Sequence, residues 1–180
     1  ITSIGQGLLW APLVIGVFLT FRILNIPDLT TEGSFPLGAA VTISSMLAGQ
    51  SAIVASLLGF VAGCLAGWVT GVLDTKLKMP SLLAGILTMT GLYSINMHIM
   101  GKANIPLLDQ KTLMGWLPAS WSLNLQTIVI GAMVTLVVLA GLIWLFQTRL
   151  GLSLMATGNN PAMSAANGIY TDRMVIIGYM

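Results

Sequence analysis

No Asp, Glu, Lys or Arg occurs from Gly33 to Leu73, from Met79 to Gly101, or from Thr112 to Thr148. Each run reaches or exceeds the roughly 20 apolar residues that cross a bilayer as a helix. A water-soluble domain carries charge on about a quarter of its residues, whereas here 7% are charged and 56% are hydrophobic. Within hydrocarbon, every backbone N–H and C=O must find its partner inside the protein, which a helix achieves within its own segment. The runs predict an all-α fold, a polytopic transmembrane helix bundle.

Hydropathy places spans near residues 4–24, 35–49, 51–73, 81–99 and 125–146, with a further one beginning at Met174, in a single transmembrane domain over 1–180. There is no initiator Met, and the apolar run from Met174 to Met180 is shorter than a span, so a fragment truncated at its C-terminus is expected. The first segment has no basic n-region and no A-x-A-like cleavage site, and reads as a span and not a signal peptide. The second is short: residues 35–49 would rise about 22 Å against about 30 Å of hydrocarbon. It is either a partial, broken or re-entrant helix, or one that extends into the polar residues before it.

Lys and Arg in short loops set orientation. Lys76 and Lys78 follow the third span, and Arg149 and Arg173 bracket the loop 147–173, which places both regions in the cytoplasm and the 100–124 connection outside. That connection carries Trp116, Trp121, Pro106 and Pro118, suited to the headgroup layer, with Lys102 and Lys111 opposing the charge bias. If the second segment crosses fully, the N-terminus is external too. A net charge of +2 on thin loops makes no basic stripe, so nucleic acid is excluded as a partner. Cys64 is the single cysteine and cannot form an intrachain disulfide.

In the third span Gly59, Gly63, Gly67 and Gly71 recur every fourth residue and form one row along a helix, widened by Ala62, Ala66 and Thr70. Such a strip admits close backbone approach in lipid, either within the chain or at a subunit interface.

No catalytic set emerges. Gly101-Lys102 is followed by Ala103 and has Asn96 where a phosphate loop begins, and Gly151 to Met155 misses the last glycine of a nucleophile elbow. His98 is the sole histidine, so no His-based metal cage is available; Ser94 precedes it by one helical turn, with no third group to orient a serine-based hydrolase. The segment NIPDLTTEGSFPLG is more informative. Asp28, Glu32, Thr30, Thr31 and Ser34 lie between apolar segments, Pro27, Gly33 and Pro36 interrupt regular helix, and Ser34 is positioned to cap the helix that follows. A carboxylate at mid-bilayer costs about 3 kcal/mol, so these groups belong either to an interfacial loop or to the wall of a translocation path. Thr88, Thr90, Tyr93 and Asn96 of the fourth span are candidates for the same path, or for hydrogen bonds between helices.

The stretch 148–173 departs from the oily pattern. Asn160 is an N-cap, Pro161 a first helical residue and Gly168 a C′ stop, which bound a helix of about two turns carrying Ala162, Met163, Ala165, Ala166 and Asn167. It is too short to span and too small-sided to hold a bilayer. It either inserts into another protein's groove or packs on its own protein.

TRLGLSLMATGNNPAMSAANGIYTDRM resembles the cytoplasmic loop of permease subunits of ATP-binding-cassette (ABC) importers in the branched-chain amino acid and ribose permease family. GCLAGWVTGVLDTKLKMPSLLAGILTMTGL is similar to their paired spans around a short basic loop, and DLTTEGSFPLGAAV to the segment after the first core span, closest to the tryptophan or tyrosine permease branch. The resemblance implies that Asn160, Pro161, Ala162, Met163, Ala165, Ala166, Asn167 and Gly168 form the coupling helix that docks on an ATPase subunit, with Arg149 and Arg173 flanking. It also implies a bacterial cytoplasmic membrane, a second permease copy, an extracytoplasmic substrate-binding protein, and ATP and Mg held by the ATPase, with no cofactor or metal in this chain and an aromatic or branched-chain amino acid as solute. Glu32 and Phe35 stand where sugar permeases of the family have small or apolar residues, so no sugar site is transferred. The rival reading is an ion-coupled secondary transporter in which Asp28 and Glu32 bind the coupling ion.

Overall fold

The computed structural model describes residues 2–102 and 122–180. Among these the chain forms α1 (Thr2–Phe18), which continues as a π-helical turn (Leu19–Ile23), then α2 (Thr31–Leu47), α3 (Ala52–Thr75), α4 (Ser81–Met100), α5 (Leu123–Gln147), α6 (Arg149–Asn159), α7 (Pro161–Ala166) and α8 (Thr171–Tyr179). Among the described residues four stretches are long and apolar enough to cross a membrane: Ser3–Ile23, Ala52–Thr75, Ser81–Met100 and Asn124–Gln147. Most of the external loop expected over 100–124, with Pro106, Lys111, Trp116, Pro118 and Trp121, lies outside the described residues.

The expected second span is one uninterrupted helix of 17 residues with Pro36 inside it. It gains length by starting four residues earlier than residue 35, taking in Thr31 and Glu32, so it is neither broken nor a stub. The N-cap is Thr30 and not Ser34: the amides of Gly33 and Ser34 both donate to the Thr30 carbonyl, at 2.9 and 2.8 Å. Ser34 lies one turn inside, its hydroxyl 3.5 Å from the Thr31 carbonyl.

Helices α2 and α3 make an antiparallel hairpin. A methyl group on Gly59 would lie 2.7 Å from the Gly38 carbonyl oxygen, and near the opposite end Thr30 faces Thr70. The glycine row is divided between neighbours: Gly59 meets α2, whereas Gly67 and Gly71 meet Tyr179 and Ile176 of α8, and Gly63 has open space. Helix α4 packs against both α2 and α3, and where the three meet Leu37, Ala66 and Leu92 form a small core with Val41, Ala62 and Ile99. On the far side α1 runs parallel to α5, with the Thr135 hydroxyl donating to the Leu8 carbonyl at 3.2 Å.

Little apolar surface is covered beyond this. Phe60 and Trp144 are each 70% exposed, and only 6% of the α5 window is buried. Exposed apolar surface on that scale is stable in hydrocarbon and not in water. The chain is a multi-pass membrane protein.

The loop 24–30, the α3–α4 turn and the segment 148–170 share one end of the bundle. Asn25 bonds to Gly158 there, and Lys76 faces the same groove as Ala165 and Arg173. Lys76, Lys78, Arg149 and Arg173 therefore lie at this basic end.

Candidate functional site

Two features at the basic end have the chemistry of a working site. The first is a buried polar relay. The π-helical turn and the loop after it end α1 with Pro27 in an irregular stretch, which lowers Asp28 and Thr30 into the junction of α2, α3 and α4. Asp28 is 8% exposed and its Oδ1 accepts the Thr30 backbone N–H at 2.8 Å. The Thr30 hydroxyl donates to Thr70 Oγ1 at 3.0 Å, Thr70 to Thr88 Oγ1 at 2.9 Å, and Thr88 to the Ala84 carbonyl at 3.0 Å. Thr70 Oγ1 also lies 3.2 Å from the Ala66 carbonyl of its own helix, so the hydroxyls of three helices form one connected hydrogen-bonded cluster. Burial pushes the Asp28 carboxyl above the ordinary carboxylate value, with hydrogen bonding from Thr30 opposing.

Higher in the bundle, Asn96 Nδ2 donates to the Gly33 carbonyl at 3.5 Å, and its buried Oδ1 has no partner among the described residues. On the basic side of the relay, the Tyr179 hydroxyl donates to Asp74 Oδ2 at 3.0 Å and fastens α8 to α3.

The second feature is α7. Asn160 Oδ1 accepts the Met163 amide at 3.0 Å, and Pro161 occupies the first helical position. At the other end Gly168 has φ +81°, and the amides of Gly168 and Ile169 donate to the carbonyls of Ala165 and Ser164, each at 3.0 Å. This is the Schellman closure that a C′ glycine permits. Ser164 is the residue that α7 turns inward, and Ala162, Met163, Ala165 and Ala166 face outward. Beside α7 lies an open groove of about 490 Å³ that includes Lys76, Tyr170, Thr171, Asp172 and Arg173 in its lining. The Arg173 guanidinium sits 4.7 Å above the Tyr170 ring.

The chain matches the family described as branched-chain amino acid transport system, permease component, over residues 1–180. It belongs to that family of ABC-importer permeases. It is 37% identical over all of its length to the tyrosine transport system permease protein of Clostridioides difficile, covering 59% of that protein. It is 30% identical to a ribose import permease protein of Escherichia coli, over 79% of this chain and 48% of that one. An autoinducer 2 import system permease protein of Photorhabdus luminescens is 31% identical over 93% of this chain and 49% of its own length. This permease chain thus spans about half to three fifths of the relatives it matches. No solved structure matches it.

The residues nominated as a translocation path separate into two groups. Asp28, Thr30, Thr88 and Asn96 are buried between helices, whereas Glu32, Thr90 and Tyr93 are exposed, Thr31 and Ser34 being half-buried. Thr90 bonds only to its own helix, at the carbonyls of Ile86 and Leu87. Ser94 and His98 are exposed on α4. Among the described residues no three of His, Cys, Asp or Glu converge as metal ligands.

Sequence reasoning missed the central hydroxyl, Thr70, which in a row of Gly and Ala reads as one more small residue. It also missed the amphipathic helix α6, although Thr148 accepts the Gly151 amide as a regular N-cap, at 3.4 Å.

Proposed function

We propose that this chain forms the membrane path of an ABC importer for an amino acid, with an aromatic amino acid as the solute class. The observation that carries the reading is α7: a separately capped helix presenting Ala162, Met163, Ala165 and Ala166 at the basic end of a family permease. Small side chains on a rigid two-turn helix fit a groove in a partner. The positive-inside rule puts this end in the cytoplasm, where an ATPase subunit would receive it. The 37% identical relative is named for tyrosine, which supports the solute class.

The mechanism is alternating access. Two ATPase subunits, which hold ATP and Mg, close on each other and displace α7 in each of two permease copies; a binding protein delivers solute at the opposite face. Movement of α6, α7 and α8 reaches the loop 24–30 and the Thr30–Thr70–Thr88 relay, which holds α2, α3 and α4 together near the cytoplasmic exit. Glu32 and Tyr93 point out of this bundle, and a carboxylate against lipid costs about 3 kcal/mol. They face either the solute path or partner helices.

The test is uptake of radiolabelled L-tyrosine into proteoliposomes containing the full-length permease, its ATPase and the binding protein. ATP-dependent accumulation without an ion gradient is expected. Accumulation by the permease alone, driven by a proton or sodium gradient, would instead assign Asp28 and Glu32 to ion coupling.

A further inference from the structure

This inference rests on α7 as the docking helix and concerns how its displacement enters the membrane. Two residues before the α7 N-cap, Gly158 lies against the last turn of the first span, where any Cβ would collide with the Ile23 carbonyl oxygen. Asn25 adopts the left-handed conformation, φ +55°, and reaches back so that its Nδ2 donates to the Gly158 carbonyl at 3.0 Å. Between them Leu24, 5% exposed, is held by Gly178 of α8 and lies beside Leu154 of α6. The first span is therefore clasped by the helices on both sides of α7.

The clasped backbone is also where the helix is least regular. Residues 19–23 wind as a π-helix, with Leu24 N–H donating to Leu19 at 3.3 Å and Ile26 N–H to Thr20 at 3.1 Å. Single π-helical turns inside helices are frequent at functional sites. Three residues past Asn25 stands Asp28, bonded to Thr30, whose hydroxyl begins the relay to Thr70 and Thr88.

We propose that Gly158 and Asn25 form the joint that transfers displacement of α7 to the Asp28–Thr30 loop, with the π-helical turn 19–23 as the yielding element. Both are positioning residues: they contact neither the ATPase nor the solute. Gly158 supplies an approach that no side chain allows, and Asn25 supplies a tether that draws the loop along in the return stroke. The relay then shifts relative to α3, which opens or closes the α2–α3–α4 junction.

The experiment uses the full-length permease with its ATPase in nanodiscs, with spin labels at Pro27→Cys and Leu77→Cys in a Cys64→Ser background. Both positions are exposed and lie on the two sides of the proposed movement. Wild type is expected to shift its label distance on vanadate trapping with ATP and Mg. Gly158→Ala, and separately Asn25→Gly, which keeps the backbone conformation and removes only the amide, are expected to retain the ATPase and lose at least half of that shift. Gly141→Ala, with open space around it, is the control and keeps the shift. A wild-type shift in both Gly158→Ala and Asn25→Gly overturns the joint, as does loss of ATPase retention by Asn25→Gly, which would place that residue in docking. Failure of wild type to retain an ATPase removes the docking reading itself, and the joint with it.

Discussion

Thr70→Val isolates the relay from everything around it. Thr70 is fully buried and valine has nearly its shape, so no cavity opens, but the Thr30 hydroxyl loses the acceptor it meets at 3.0 Å. Thr88 keeps its bond to the Ala84 carbonyl, and the Thr30 hydroxyl keeps the neighbouring Asp28 carboxylate as an acceptor, so the two interhelical bonds through Thr70 are lost and no donor is orphaned. Hydrogen bonds between membrane helices average about 0.6 and reach about 1.7 kcal/mol each, so the expected loss is about 1–2 kcal/mol. Unfolding in mixed micelles by SDS titration, read by tryptophan fluorescence, measures it. Thr30→Val and Thr70→Val both remove the Thr30–Thr70 bond, so the double variant is expected to lose less stability than the sum of the two single variants. Thr90→Val, exposed and bonded only within α4, is expected to stay within about 0.5 kcal/mol of wild type. Strict additivity of Thr30→Val and Thr70→Val, or a Thr70→Val loss no larger than that of Thr90→Val, refutes the relay.

Three further outcomes follow from particular contacts. A methyl group at Gly67 would strike the Tyr179 carbonyl while Gly63 faces open space, so Gly67→Ala is expected to lose about 1–3 kcal/mol and Gly63→Ala about nothing; equal melting shifts contradict the division of the row. Asn160→Ala removes the acceptor for the Met163 amide and costs about 1 kcal/mol of α7, read as roughly fivefold faster hydrogen exchange in that helix; unchanged exchange counts against the cap. Burial raises the folded-state value of Asp28, so stability is highest below the unfolded value of about 3.9 and falls as pH rises through the folded value, remaining reduced above it. Asp28→Asn still accepts the Thr30 amide and is expected to flatten that dependence and to match or exceed wild-type stability at neutral pH; a loss of stability in Asp28→Asn at neutral pH contradicts it.

What the amino-acid order reveals here depends on whether a feature is local. The spans follow from charge-free runs, and α7 follows from Asn160, Pro161 and Gly168, each acting within a few residues of its own backbone. Helix α6 was not legible because its glycines serve close backbone approaches: Gly151 at the sharp junction with α5, against Leu145 and Phe146, and Gly158 against the distant Ile23. In isolation they look like loop residues. The π-helical turn and the left-handed Asn25 lie against Gly158, which is far away in the chain. For α4, sequence places Thr88 and Thr90 equally within a span, and only the packing of α2 and α3 decides that Thr88 is inside and Thr90 outside. The buried relay is a property of helix rotation, which hydropathy does not encode.

The central claim is that α7 docks an ATPase, and co-purification tests it most directly. Full-length permease, wild type beside Ala166→Arg, is extracted in detergent from cells that express its ATPase, and the proteins retained are identified. Ala166 faces outward on α7, so the arginine leaves the bundle intact and obstructs only a groove around the helix. An ATPase subunit retained by wild type and lost with Ala166→Arg is the predicted result. Retention by both, or by neither while the permease remains folded, contradicts the account.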